Sequence, residues 1–391
     1  MRGFSTRAIH AASRIPEAPQ PPLNVPIYQS ATFEVGSAEE LAELLEFRRP
    51  GHSYSRYSNP THAALETALA ELEGGEAAIV TASGMAAIHA ALAANLSPGD
   101  EVLAPRALYG GTYAILTGLL AHFGVTARFV ALTDLDAMRS AISDRTRLIW
   151  AETIANPTTE VPDLAALAGL AHDHDIALVV DNTFATPYLA NPLAIGADLV
   201  VHSLTKYVGG HSDLVAGAVI GSAERVAAAR QVVINAGGNA QPLEAFLALR
   251  GLKTLAIRME RHASTAMAVA LALEGSPAIR RVLYPGLASH PQCDVARREL
   301  RDGLGGGMLA IDLDGGRPAG ERFLSRLRVA VHATSLGSAE TLCSHPASSS
   351  HRQLSGAELA DAGLTPGLVR VSIGLEDPGD LIDDLGAAAA G

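Results

Sequence analysis

Three features of the sequence predict an α/β fold with a mostly parallel sheet. Short apolar runs recur between about residues 51 and 250, at Ala77–Thr81, Glu101–Ala104, Ala127–Val130, Leu148–Glu152, Ala177–Asp181, Leu199–His202 and Ala216–Ile220. Helix-compatible stretches separate them, and strands alternating with helices build a parallel sheet covered on both faces. Several of the runs are apolar throughout rather than alternating, as strands buried on both sides require.

Residues 1 to about 50 come first. They are Pro-rich between Pro16 and Pro26, polar afterwards, and read as an extended arm. The α/β unit follows over about 51–250. Its first strand runs into Ser83-Gly84-Met85, ahead of an alanine-rich helix. N–H groups at a helix start bind phosphate, and Gly84 would let the phosphate come close. By itself that segment reads more plainly as a turn with Ser83 as N-cap. The strand Ala177–Asp181 delivers a carboxylate at its carboxyl end, where open α/β sheets gather ligand-binding residues. Asp181 would hold a proton on a ring nitrogen, or cap the turn through Asn182 and Thr183. Lys206 follows the run Leu199–Val201, with Ser203 and Thr205 flanking it and Gly209, Gly210 and His211 behind. A lysine there is costly unless it is used. Burial lowers its amine pKa, and a Schiff base with an aldehyde cofactor uses it. Ser203 and Thr205 would offer hydroxyls to a phosphate, and the separation of Asp181 from Lys206 suits pyridoxal phosphate (PLP). From Arg250 a long amphipathic helix, with Leu255, Met259 and His262 inward and Arg258 and Glu260 outward, leads to a smaller α/β unit over 251–391. There Gly305-Gly306-Gly307 precedes the apolar strand Met308–Leu313 and reads as a loop, not a phosphate cradle.

The composition agrees. A chain of 391 residues, 48% hydrophobic and 18% charged, can bury an ample core in more than one domain. A net charge of −12 argues against nucleic acid or an anionic membrane as partner. Cys293 and Cys343 are the only cysteines, too few for a disulfide framework or a Cys-rich zinc site, and they fit a reducing compartment. Histidines number 14, but His172 and His174 sit at a polar helix end and no HExxH spacing occurs, so no metal is expected. The first residues lack an apolar h-region and no run of about 18 apolar residues exists. Neither a signal peptide nor a membrane span is expected, and a cytoplasmic location is.

Ten segments appear in an order that resembles one family: YSRYSNPT (Tyr54 to Thr61), ASGMAAI (Ala82 to Ile88), YGGTY (Tyr109 to Tyr113), ETIANPT (Glu152 to Thr158), DNTFATP (Asp181 to Pro187), SLTKYVGGHSD (Ser203 to Asp213), RGLKTLAIRMERH (Arg250 to His262), YPGLASHPQ (Tyr284 to Gln292), SLGSAETLCSHPAS (Ser335 to Ser348) and LVRVSIGLED (Leu368 to Asp377). The chain resembles the PLP-dependent enzymes of cysteine and methionine metabolism. These include methionine γ-lyase, cystathionine γ-synthase, cystathionine γ-lyase and the homoserine-ester sulfhydrylases. The resemblance implies the aspartate-aminotransferase-like PLP fold (fold type I). It implies that Lys206 carries the cofactor and later moves protons between substrate and cofactor carbons. Asp181 would pair with the pyridinium nitrogen, and Ser203, Thr205 and the backbone of Gly84 and Met85 would hold the phosphate. Tyr54 and Arg56 would reach that phosphate from a neighbouring subunit, with Tyr54 also catalytic. The residue 1–50 arm would serve a neighbour too, in a homotetramer of site-sharing dimers. Tyr109 would stack on the ring and donate or accept a proton. Thr183 and Asn156 would contact the cofactor, Asn156 also the substrate. Arg370 would clamp the substrate carboxylate, helped by Ser335 and next to Thr334.

The resemblance also bears on the substrate. Cystathionine enzymes generally carry Glu where this chain has Thr334, to meet a distal ammonium. Methionine γ-lyases resemble this chain there, but usually carry Cys in the position of Gly111 and a Lys-Asp pair in the region of Asn235 to Asn239. HPASSSHRQLS (His345 to Ser355) is similar to the homoserine-ester sulfhydrylases. The reading is γ-elimination or γ-replacement on a sulfur amino acid, methionine γ-lyase first, with the cystathionine enzymes or sulfhydrylases as the alternative. A non-catalytic PLP-binding regulator would need a DNA-binding module, and the arm has neither a helix-turn-helix pattern nor a basic patch.

Overall fold

The computed structural model describes residues 3–13, 20–349, 359 and 363–391. The larger sheet holds β1 (Ala77–Thr81), β2 (Glu101–Ala104), β3 (Thr126–Phe129), β4 (Thr146–Glu152), β5 (Ala177–Asp181), β6 (Leu199–Ser203) and β7 (Gly217–Gly221), in the order β1-β7-β6-β5-β4-β2-β3. Pairing is parallel from β6 through β5, β4 and β2 to β3, while β7 runs antiparallel to both its neighbours. Each expected strand forms close to its expected limits. The cause is visible in β4, where Leu148 and Trp150 enter one apolar layer and Ile149 and Ala151 enter the other. A strand packed on both faces must be apolar at every position.

The smaller sheet holds β8 (Ile279–Leu283), β9 (Met308–Leu313), β10 (Val331–His332), β11 (Leu342–Ser344) and β12 (Leu368–Ser372), in the order β10-β11-β12-β9-β8. β12 is central and antiparallel to β9 and β11. Helices Leu255–Leu273, Gly316–Arg326 and Pro378–Ala390 bury Val269, Phe323 and Leu381 against it.

Three expectations are corrected. The first 50 residues are not simply extended. Helix Phe4–Ala11 buries Phe4, Ala8 and Ala11 beside Leu65 and Leu69 of the same chain, and Ala38–Leu45 starts at an N-cap made by Ser37. Residues 14–19, inside the Pro-rich stretch, lie outside the described residues. The long helix does not begin at Arg250, because Pro242–Leu252 ends and Leu255–Leu273 begins across Lys253 and Thr254. Arg258 points inward and is 5% exposed. Its guanidinium donates to the carbonyls of Tyr207 at 2.6 Å, Gly251 at 2.8 Å and Val208 at 3.3 Å. Those carbonyls give a buried cation the acceptors it needs, which periodicity alone does not reveal. Of the His345 to Ser355 segment, residues 350–355 lie outside the described residues. Among the described residues, no helix is long and apolar enough to cross a membrane, and no cluster of His, Cys, Asp and Glu could hold a metal ion.

Candidate active site

A cavity of about 570 Å³ opens at the carboxyl ends of β4, β5 and β6, and residues of the small-sheet unit close its other side. Lys206 stands in the turn that follows β6, three residues past its end rather than at it. Its Nζ donates to Ser335 Oγ at 2.6 Å. Burial, and then the charge of Arg370, lower its pKa to about 8. Asp181 ends β5 and lines the same cavity. Burial raises its pKa, against the opposing hydrogen bonds of Thr183 and the charge of His202. The raised value makes Asp181 a better proton acceptor than an exposed carboxylate. Thr183 N donates to Asp181 Oδ1 at 3.0 Å, and Thr183 Oγ1 accepts from Ser203 N at 2.9 Å. The turn reading of Asp181 therefore holds, and the same carboxylate lines the cavity.

Helix Gly84–Ala93 points its N-terminus at this cavity, with Gly84 and Met85 in the lining. Ser83 caps it by accepting from Ala86 N at 3.1 Å. The first N–H groups of a helix have no partner inside it, which leaves those of Gly84 and Met85 for an anion. Gly84 has a second reason to be glycine: a Cβ there would lie 2.8 Å from Ser203 Cβ. The missing side chain thus makes room for Ser203 as well as for a ligand. Thr205 Oγ1 is engaged within the protein, accepting from Ala216 N at 3.1 Å.

The opposite wall belongs to Arg370 on β12. Its Nη1 donates to Asn156 Oδ1 at 3.0 Å and its Nη2 to the Ser335 carbonyl at 2.7 Å. Nε is buried without a partner. An unmatched buried guanidinium N–H is costly and calls for an anion. Ser335 adopts φ 79°, the left-handed region a serine rarely visits. Thr334 lines the cavity beside it. Tyr109 lies on the rim, where partial burial and the nearby Asp181 charge raise its pKa and keep its phenol protonated.

Tyr54 and Arg56 are not brought to this cavity. Arg56 instead donates to the Ile234 carbonyl at 2.8 Å and lies over the Tyr54 and Tyr57 rings. One charged lining residue has no role in the sequence-based expectation. Glu152, the last residue of β4, accepts from Tyr109 N at 2.7 Å and from Asn156 N at 2.8 Å. Its signal was a carboxylate ending an otherwise apolar run. Phe184 and Ile154, inside the motifs DNTFATP and ETIANPT but given no role there, and Val215, outside any motif, supply apolar lining.

This residue set fits PLP. A buried lysine of lowered pKa suits an aldehyde, a buried carboxylate suits a ring nitrogen, and a helix N-terminus beside Ser203 suits a phosphate. A profile described as "Cys/Met metabolism PLP-dependent enzyme" matches residues 5–390. The L-methionine gamma-lyase of Pseudomonas deceptionensis is 44% identical over 389 residues, covering 98% of this chain and 96% of that one. The cystathionine gamma-synthase of Mycobacterium leprae is 44% identical over 384 residues, with coverage of 98% and 96%. A solved structure from Campylobacter jejuni, assigned there as an O-acetylhomoserine (thiol)-lyase, carries N'-pyridoxyl-lysine-5'-monophosphate. It superposes with a TM-score of 0.95 at 33% identity over 100% of both chains.

Proposed function

Because the chain belongs to the Cys/Met metabolism PLP-dependent enzyme family, and so is a PLP enzyme of sulfur amino acid chemistry, we propose that it catalyses γ-elimination on methionine, giving 2-oxobutanoate, methanethiol and ammonia. When bound, PLP supplies an electron sink for charge that develops on the substrate carbons. Lys206 tethers it and moves protons at the substrate carbons, since an amine with a pKa of about 8 both gives and takes protons near neutrality. Asp181 holds the proton of the ring nitrogen. Ser203, the N–H groups of Gly84 and Met85, and Thr205, once its hydroxyl turns from the Ala216 carbonyl to which it donates at 3.2 Å, hold the phosphate. Tyr109 lies against the ring and donates a proton. Arg370 receives the substrate carboxylate from the cavity wall, with Asn156 and Ser335 fixing the guanidinium plane. Tyr54 and Arg56 serve the phosphate of a second copy, in a cytoplasmic homotetramer. That this pair lies outside the lining of its own cavity supports a site shared between copies, and two free cysteines are compatible with a reducing compartment.

The observation that carries the choice of substrate is the acidic inventory of the cavity. Among the described residues only Glu152 and Asp181 bring carboxylates to its wall, and both already accept backbone N–H groups. Thr334 offers no charge. A distal ammonium would be buried without a partner, at a cost of several kcal/mol, whereas a thioether would not. Cystathionine is therefore expected to be a poor substrate beside methionine, and Thr334→Glu is expected to shift the ratio of kcat/KM towards cystathionine. A wild type that already prefers cystathionine by a wide margin would defeat this reading.

Gly111 favours a second reading, γ-replacement on a homoserine ester. A Cβ at Gly111 would overlap the Tyr109 ring and lie 2.6 Å from Met85 Sδ. The cysteine usual in methionine γ-lyases therefore has no room unless Tyr109 or Met85 moves. Mass spectrometry of the products from methionine, and from O-acetylhomoserine with sulfide, separates the two.

A further inference from the structure

Glu152 is the one acidic wall residue to which the mechanism above gives no task. It sits beside Asp181, its register partner on β5. It is 5% exposed, and burial followed by the Asp181 charge pushes its pKa up to about 8. An apolar residue would be cheaper there. What the carboxylate does is accept two backbone N–H groups from two separate loops, one oxygen each. Oε1 takes Tyr109 N at 2.7 Å, ahead of helix Gly110–Ala114. Oε2 takes Asn156 N at 2.8 Å, in the loop after β4. The second contact continues, because Asn156 Oδ1 accepts from Arg370 Nη1 at 3.0 Å and Arg370 Nη2 donates to the Ser335 carbonyl at 2.7 Å. Ser335 Oγ in turn accepts from Lys206 Nζ at 2.6 Å. One hydrogen-bonded path thus runs from the backbone of Tyr109 to the amine of Lys206, and Glu152 is the only member that touches both the ring side and the carboxylate side.

We propose that Glu152 is a positioning residue that fixes Tyr109 against the cofactor ring and Asn156 against the Arg370 clamp. The inference rests on the assignment of ring stacking to Tyr109 and of the substrate carboxylate to Arg370. Glutamine cannot replace it. An amide keeps one acceptor oxygen and turns an NH₂ towards the other N–H. One loop then loses its anchor and a buried donor is left unmatched.

The test uses the PLP-loaded enzyme with Glu152→Gln, Arg370→Lys and the double variant. Two quantities are read: circular dichroism in the visible band of the bound cofactor, which reports how the ring is held, and KM against kcat for methionine. Glu152→Gln should keep its cofactor, alter the visible band, and raise KM about tenfold, the worth of one buried hydrogen bond. In the Arg370→Lys background the same change should add less than about twofold, because residues on one path are not additive. An unaltered visible band together with an unchanged KM in Glu152→Gln would overturn the proposal. Full additivity in the double variant would overturn the path through Asn156. A normal KM in Arg370→Lys would overturn the clamp and with it the Asn156 branch, while the visible band judges the Tyr109 branch separately. If Glu152→Gln does not fold, Glu152→Asp, whose shorter arm cannot span both loops, carries the same readings.

Discussion

Lys206 shows how a single side chain takes its chemistry from its surroundings. Burial and the Arg370 guanidinium bring its amine from 10.5 to about 8. The neutral amine is the form that attacks an aldehyde, so as pH rises through 8 the reactive fraction climbs and then saturates. The rate at which apoenzyme takes up PLP covalently should therefore rise about tenfold from pH 7 to pH 9 and level off above it. Stopped-flow absorbance measures this, and borohydride should then label Lys206 alone. A rate still climbing steeply beyond pH 10 would show an ordinary lysine. Lys206, Asp181 and Arg370 were legible in the sequence because each is a charged residue set against an apolar run, where only use or pairing explains it. Glu152 met the same description but was not read, because its partners are backbone N–H groups. Those donors belong to residues 109 and 156, and nothing in the residue types marks them. The reading of Gly84 was incomplete for a similar reason: its near neighbour Ser203 comes from a strand far along the chain.

Single elements show a sharper divide. The strands of the larger sheet were legible since burial on both faces dictates their composition. β10 and β11, of two and three residues, carry no such pattern and are held by their neighbours. The helix Leu255–Leu273 was legible as a helix and in the inward facing of His262, but not in that of Arg258, a cation used inside. His262 is fully buried, and its Nδ1 meets the Ile373 carbonyl at 2.7 Å. Burial, then the Arg258 charge, lower its pKa to about 4. Above pH 6.5 the ring is neutral folded or unfolded, and no stability depends on it. As pH falls from 6.5 to 4 the unfolded chain binds the proton first, and the folded state loses about 3 kcal/mol. Urea unfolding at pH 7 and pH 4.5 should show this loss, and His262→Asn should be less stable at pH 7 but less sensitive to acid. Equal acid sensitivity in both proteins would refute the assignment.

The whole molecule brings its two sheets together around one cavity. Asp181, Ser203 and Lys206 come from the larger sheet and its turns, Ser335 and Arg370 from the smaller unit. If Tyr54 and Arg56 complete a neighbour's site, inactive Arg56→Ala and inactive Lys206→Ala subunits should regain part of the activity once mixed and exchanged, since some mixed sites hold both residues intact. No recovery after confirmed exchange would mean that each site is built from one chain. That a further strand follows the long helix was legible in the apolar run Met308–Leu313, which forms β9 of the second sheet. The placement of the two sheets relative to one another was not, because it rests on contacts between residues far apart in sequence, apolar ones such as Met308 and Leu336 with Tyr207 and polar ones. Two of them, Lys206 to Ser335 and Arg370 to Asn156, cross from one part to the other through the cavity itself. The cavity is therefore a joint as much as a pocket. A substrate whose carboxylate meets Arg370, beside a cofactor held at Lys206, would act as a fastener across that joint, and its departure would unfasten it. With the proposed roles, the turnover rate would then depend on how readily the two parts separate as well as on the bonds broken between them.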